Sequence, residues 1–150
     1  MQIDLIDRLL SILLIAGIIA IVTLIGYFIE KAIKKAKYAA MSDDDKALQA
    51  ELLSEDFRKE QIEEILKGRK HKVDFGQYRD KSFHHSQMEQ LRLGLEHGID
   101  ITPYKNVAYS GSQMFELRIA IENKVDISSL LDPKLSVDKM RTMRFKLMNK

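Results

Sequence analysis

The apolar positions divide the chain into two regimes. From Leu9 to Ile29 the residues are apolar all round, 21 positions without a charge. At about 1.5 Å per residue this run extends roughly 31 Å, the thickness of a bilayer hydrocarbon core. Beyond residue 42 the apolar residues recur at helical spacing within short stretches, as Met114, Leu117 and Ile121 do between Ser110 and Asn123. The first pattern predicts a transmembrane helix over 9–29, and the second predicts short amphipathic helices.

The flanks of the apolar run refine its reading. Asp4, Asp7 and Arg8 do not form the basic leader of a cleavable signal peptide, and the run is too long for one. Lys31, Lys34, Lys35 and Lys37 follow in a basic juxtamembrane segment, 30–41, against Arg8 alone on the other side. Cations gather on the cytoplasmic side of a span, so residues 1–8 are expected outside and everything after the span in the cytoplasm. Ala16, Ala20 and Thr23 share one helical face, a spacing of small residues that lets two membrane helices approach and self-associate. Ser42 followed by Asp43, Asp44 and Asp45 reads as the capped start of an acidic entry helix within 42–56.

The rest of the chain repeats with a period of 26 residues: Gln61-Ile62, Gln87-Met88, Gln113-Met114 and Lys139-Met140 stand in register. Phe57, Phe83, Tyr109 and Leu135 precede these pairs, and Ile65, Leu91, Leu117 and Met143 follow them. Arg92, Arg118 and Arg144 come next, with Leu66 in the first unit, and later Val73-Asp74-Phe75, Ile99-Asp100-Ile101 and Val125-Asp126-Ile127. The units are 57–82, 83–108, 109–134 and a truncated 135–150. Ser110 with Gln113 makes a capping box, Gly98 a helix terminator, and Thr102-Pro103 the start of a second, one-turn helix. The fold class expected is therefore all-α: a single N-terminal transmembrane helix followed by a small helical repeat array, with a long helix and a one-turn helix per unit. Neither element buries its apolar face alone, so stacking of neighbouring units creates the core.

Asp and Arg recur as two ladders. Pairing each Asp with the Arg 18 residues later joins Asp74 to Arg92, Asp100 to Arg118 and Asp126 to Arg144 with none left over. The expectation is a structural salt bridge across successive units, compatible with each Asp also capping its one-turn helix.

The stretch from Phe83 to Tyr104, with Gln87-Met88-Glu89, Arg92, Gly94-Leu95-Glu96 and Gly98-Ile99-Asp100-Ile101, resembles short helical repeats in proteins of Gram-positive gut bacteria, often in mobile elements or phage-like regions. The resemblance covers Phe57 to Lys150, with two well-matched central units. It implies an interaction or accessory role and carries over no enzymatic residue.

Composition narrows the chemistry. Lys plus Arg total 24 and Asp plus Glu 22, so the net charge of +2 does not mark a general nucleic-acid binder. The absence of cysteine excludes disulfides, thiolate catalysis and Cys-bound zinc. His71, His84, His85 and His97 stand at no metal spacing and read as exposed and solvated. Gly94, Gly98 and Gly111 form no phosphate loop, and Ser110, Ser112 and Ser136 lack a base. No enzyme, metal or cofactor is expected. The C-terminal segment is basic, with Lys139, Arg141, Lys146 and Lys150 as a candidate contact surface beside Lys134 and Arg144. The leading functional reading is a membrane-anchored cytoplasmic interaction module, an adaptor or scaffold that recruits a protein partner. The alternatives are a membrane-associated nucleic-acid-handling accessory and a small holin- or toxin-like membrane-active protein.

Overall fold

A chain rich in Leu, Ile, Lys and Glu, with two prolines and seven glycines, has few reasons to leave the helix. The computed structural model describes residues 2–149, with side chains from Asp7 onward. Among the described residues there are six α-helices and no strand. The helices are α1 (Gln2–Ala39), α2 (Asp43–Ser54), α3 (Lys59–Lys70), α4 (His85–Glu96), α5 (Gly111–Glu122) and α6 (Val137–Met148). One-turn 3-10 helices occupy Phe75–Gln77, Thr102–Tyr104 and Ser128–Leu130. The chain divides into two units, residues 1–46 and 47–150.

In the first unit α1 is one uninterrupted helix, and the basic segment after Ile29 continues it to Ala39. Its Asp7–Ala39 part has a mean hydropathy of 2.9 over its most apolar window and buries none of that window within the protein, so it is long and apolar enough to cross a membrane. Ser42 Oγ accepts the Asp45 N–H at 3.1 Å, which caps α2.

In the second unit α3 packs on α4, α4 on α5 and α5 on α6. The four helices run parallel. The side chain of Gln87, in the first turn of α4, bonds the backbone just ahead of α5, and His71, at the C-terminal end of α3, reaches Glu96, the last residue of α4. Their first residues stand 26 positions apart. The fourth and seventh residues of successive helices point inward: Ile62 and Ile65, Met88 and Leu91, Met114 and Leu117, and Met140 are buried. Phe57, Phe83 and Tyr109 close the core before each helix, and Tyr78, Tyr104 and Leu130 close it after. Each such side chain contributes about 1.5–3 kcal/mol on leaving water. Leu48 and Leu52 of α2 join the same cluster.

Helices α3, α4 and α5 end by one device. The N–H groups of Val73, Ile99 and Val125 bond the carbonyls of Gly68, Gly94 and Ala120 at 3.0 Å, across a left-handed residue, Lys72, Gly98 or Lys124. This is the Schellman closure, and it turns the apolar residue that follows back onto the core.

Where the one-turn helix meets the preceding long helix, contact is so close that two residue types must match. Tyr78 Oη donates to the carbonyl of Glu64 and Tyr104 Oη to that of Gln90. A Cβ on Gly68 would lie 1.9 Å from Tyr78 Oη, and one on Gly94 would lie 2.0 Å from Tyr104 Oη. At the third such contact the pair is Ala120 and Leu130, both fully buried: the hydroxyl is gone and a methyl is present. Gly94→Ala should therefore destabilise by about 1–3 kcal/mol through overpacking. In a Tyr104→Leu background the same change should cost less, because only the contact with Ile101 Cγ2 at 2.9 Å then remains and alanine outranks glycine in a helix by about 1 kcal/mol. Denaturant unfolding of the four variants measures the coupling; additive effects would count against the contact.

Candidate functional site

The polar residues that repeat through the second unit form two sets of bonds between neighbouring helices. The first set is built on glutamine. Gln61, Gln87 and Gln113 each occupy the third position of a helix and are buried. Each Oε1 accepts the backbone N–H three residues earlier, of Arg58, His84 and Ser110. Each Nε2 donates to two carbonyls of the segment leading into the next helix: Lys81 and Phe83 at 3.1 and 2.6 Å, Val107 and Tyr109, and Pro133 and Leu135 at 2.9 and 2.7 Å. An amide is suited to this place because it carries a donor and an acceptor on one planar group.

The second set is built on arginine. Arg92 Nε donates to Glu64 Oε2 at 2.9 Å, Arg118 Nε to Gln90 Oε1 at 3.0 Å, and Arg144 Nε to Glu116 Oε2 at 2.7 Å. In each case the acceptor lies 28 residues earlier, on the preceding helix. Arg92 and Arg118 also bond Glu96 and Glu122 one turn on, and Arg144 meets Met148 Sδ at 3.3 Å. Arg141 Nε adds a second cation to Glu116 at 3.0 Å. The three ladder arginines are buried.

This corrects the Asp–Arg pairing expected from the sequence. Asp74, Asp100 and Asp126 cap the one-turn helices instead: their Oδ1 atoms accept the N–H of Gly76, Thr102 and Ser128. Hydrogen bonds from the Thr102 and Ser128 side chains, and then those from their backbone N–H groups, hold the exposed Asp100 and Asp126 carboxyls below their ordinary range. The physical reason is depth. The arginines point into the interface between long helices, where the carboxylate or amide of the preceding helix reaches them, whereas the aspartates lie at the exposed rim.

Three of the four histidines, His71, His84 and His97, are exposed as expected, but they are not merely solvated. His71 and His97 each place Nδ1 2.7 Å from a carboxylate of the next helix, Glu96 and Glu122. His84 Nδ1 accepts the Ser86 N–H at the start of α4, with the His85 ring 4.1 Å away. Among the described residues no group of three His, Asp or Glu is placed to hold a metal ion.

Of the candidate basic surface, Lys139 and Lys146 are exposed, and Arg141 is half-exposed and bonded to Glu116 and Asp138. Lys150 lies outside the described residues. Lys31, Lys34, Lys35 and Lys37 are exposed on α1, with Lys34 paired to Glu30. Ala16, Ala20 and Thr23 are exposed on the same helix, and the Thr23 hydroxyl donates to the Ala20 carbonyl at 2.8 Å. An open groove of about 410 Å³ runs past the first turns of α4 and α5, lined by Ser86, Glu89, Ser112, Phe115 and Arg141 among others.

Comparison with protein-family models, with curated proteins and with solved structures finds no match.

The ladders predict outcomes first for substitutions and then for pH. Glu116→Leu leaves the buried Arg144 without its carboxylate, while the half-exposed Arg141 keeps Asp138, and should cost about 3–5 kcal/mol. Glu116→Gln should cost less, since Gln90 fills the same place for Arg118. Asp100→Asn and Arg118→Leu should be additive within about 0.5 kcal/mol in a double-mutant cycle; stronger coupling would reinstate the Asp–Arg ladder. The remaining outcome concerns pH. Burial raises the Glu96 and Glu122 carboxyls, but bonds from Arg92 with His71, and from His97 with Arg118, outweigh it and leave both below the ordinary value of 4.5. A carboxyl depressed by folding contributes stability above its unfolded-state value, and that stability is lost as pH falls through the folded-state value. Stability should therefore decline below about pH 5, near the ordinary glutamate range. Glu96→Gln with Glu122→Gln should flatten the decline when unfolding is followed at a series of pH values.

Proposed function

We propose that the chain is a single-pass membrane protein whose second unit is a cytoplasmic helical-repeat array serving as a protein-interaction module, an adaptor or scaffold. The observation that carries this reading is the regularity of the bonding. Four helices of 12 residues start 26 positions apart, and each is joined to the next by equivalent glutamine and arginine bonds. Buried polar groups are used to hold helix to helix, which builds a rigid stack with a long outward surface, the form in which repeat proteins present binding faces. An apolar helix of membrane-spanning length precedes it, and the cations Lys31, Lys34, Lys35 and Lys37 favour a cytoplasmic array. The resemblance to repeats of mobile elements fits an accessory role.

The nucleic-acid reading draws on the basic C-terminal segment. It is weakened because Arg141 and Arg144 of that segment are bonded to Glu116, and phosphate contact would have to show as strongly salt-dependent binding. Growth arrest on expressing residues 1–40 alone would favour the membrane-active reading.

A reporter that works only in the cytoplasm, fused after Lys150, should be active, and one that works only outside should be silent; the reverse pattern would overturn the orientation. Cross-linking of the full-length chain in its native membrane should retain a specific protein that residues 1–42 do not.

A further inference from the structure

The core does not account for every apolar residue of α4–α6. The fifth and ninth positions of each long helix lie one turn apart on one face. On α3 they are Glu63 and Lys67, on α4 Glu89 and Leu93, on α5 Phe115 and Ile119, and on α6 Arg141 and Phe145. Leu93, Phe115, Ile119 and Phe145 lie outside the core cluster and the residues packed against it. Phe115, Phe145 and the neighbouring Met148 are 38, 51 and 38% exposed. Arg118 and Arg144 hold their guanidinium groups 5.4 and 4.5 Å from the Phe115 and Phe145 ring centroids. Glu89, Phe115 and Arg141 line the same groove and so belong to one surface.

The charges on this face have an order. Across the three helices the fifth position reads acid, aromatic, base: Glu89, Phe115, Arg141. Such a row is its own complement when turned end for end about its middle. We propose that a second copy of this chain docks on the face, with a twofold axis at Phe115. Glu89 of each copy then meets Arg141 of the other, the two Phe115 rings meet at the axis, and Leu93 packs against Phe145. A guanidinium has five N–H donors, so Arg141 keeps donors to spare beyond Glu116 and Asp138. The result is an apolar centre with a charged rim, the anatomy of a specific interface, and a symmetric patch that closes on itself as a dimer. The charged α3 row falls outside it. This inference rests on the interaction-module reading and names the partner.

The test uses the full-length chain in detergent micelles, in two populations carrying different labels, with association read by energy transfer between them. The wild type should associate. Glu89→Arg alone and Arg141→Glu alone should each weaken association about tenfold or more, because each sets like charges opposite one another twice. Mixing the two variants should restore it, since every contact across the mixed pair is then Arg against Glu. A folding defect could not be repaired by mixing, so restoration separates an interface effect from a structural one. The chain has no cysteine, so Phe115→Cys should give a disulfide-linked dimer on oxidation and Glu63→Cys should not. Association that is indifferent to both charge reversals, or is not restored on mixing, would overturn the proposal. If the wild type does not self-associate, while a different protein captured by the full-length chain is lost with Phe115→Asp, the self-association proposal fails and the interaction-module reading stands.

Discussion

A helix laid parallel to its predecessor leaves a connecting segment that must travel back along the stack, and that segment passes the core edge with carbonyls that need donors. Gln61, Gln87 and Gln113 meet this constraint, and the rest of the second unit depends on it. Each ties the start of its own helix to the strand of backbone entering the next, so capping one helix and positioning its neighbour become the same event. An apolar residue would leave an N–H and two carbonyls short of partners, and a carboxylate could not donate to those carbonyls. Lys139 occupies the equivalent place on α6, exposed to solvent.

The arginine bonds act at the other side of the same interface. Each connects a long helix to the one before it. The alternation of acceptors is informative here. Glu64 and Glu116 present carboxylates, whereas Gln90 presents a neutral amide to Arg118 in the same geometry. What the site requires is an acceptor at the right depth, and a formal counter-charge is optional because Glu122 lies one turn on.

Much of this was legible in the sequence. The apolar run of α1, the period of 26 and the inward residues at the fourth and seventh helical positions all follow from spacing, since a 3.6-residue period and a fixed interval between units determine which side chains share a face. The partner of each buried arginine was not legible. A search for recurring opposite charges selects the three aspartates, because Asp recurs in each of the three units from 57 to 134 while the true acceptor alternates between Glu and Gln. Two offsets hid the rest: 28 residues from acceptor to arginine, and 25 from His71 to Glu96 and from His97 to Glu122. Neither equals the period, because side chains that meet across the interface leave their helices from different positions around the circumference, one or two residues out of register.

Parallel packing has an electrical consequence. Antiparallel bundles cancel their helix dipoles, whereas here four of them add, each end carrying roughly half an elementary charge. The backbone therefore contributes positive potential at one edge of the stack and negative potential at the opposite edge, where Lys67, Arg69, Lys70 and Lys146 of the last turns of α3 and α6 offset it. The side chains impose a second polarity at right angles to it, from the acids of 51–64 toward the bases of 134–146. A body whose own charges are unevenly distributed would be turned about two axes as it approached such a unit, so the field would favour one orientation before contact.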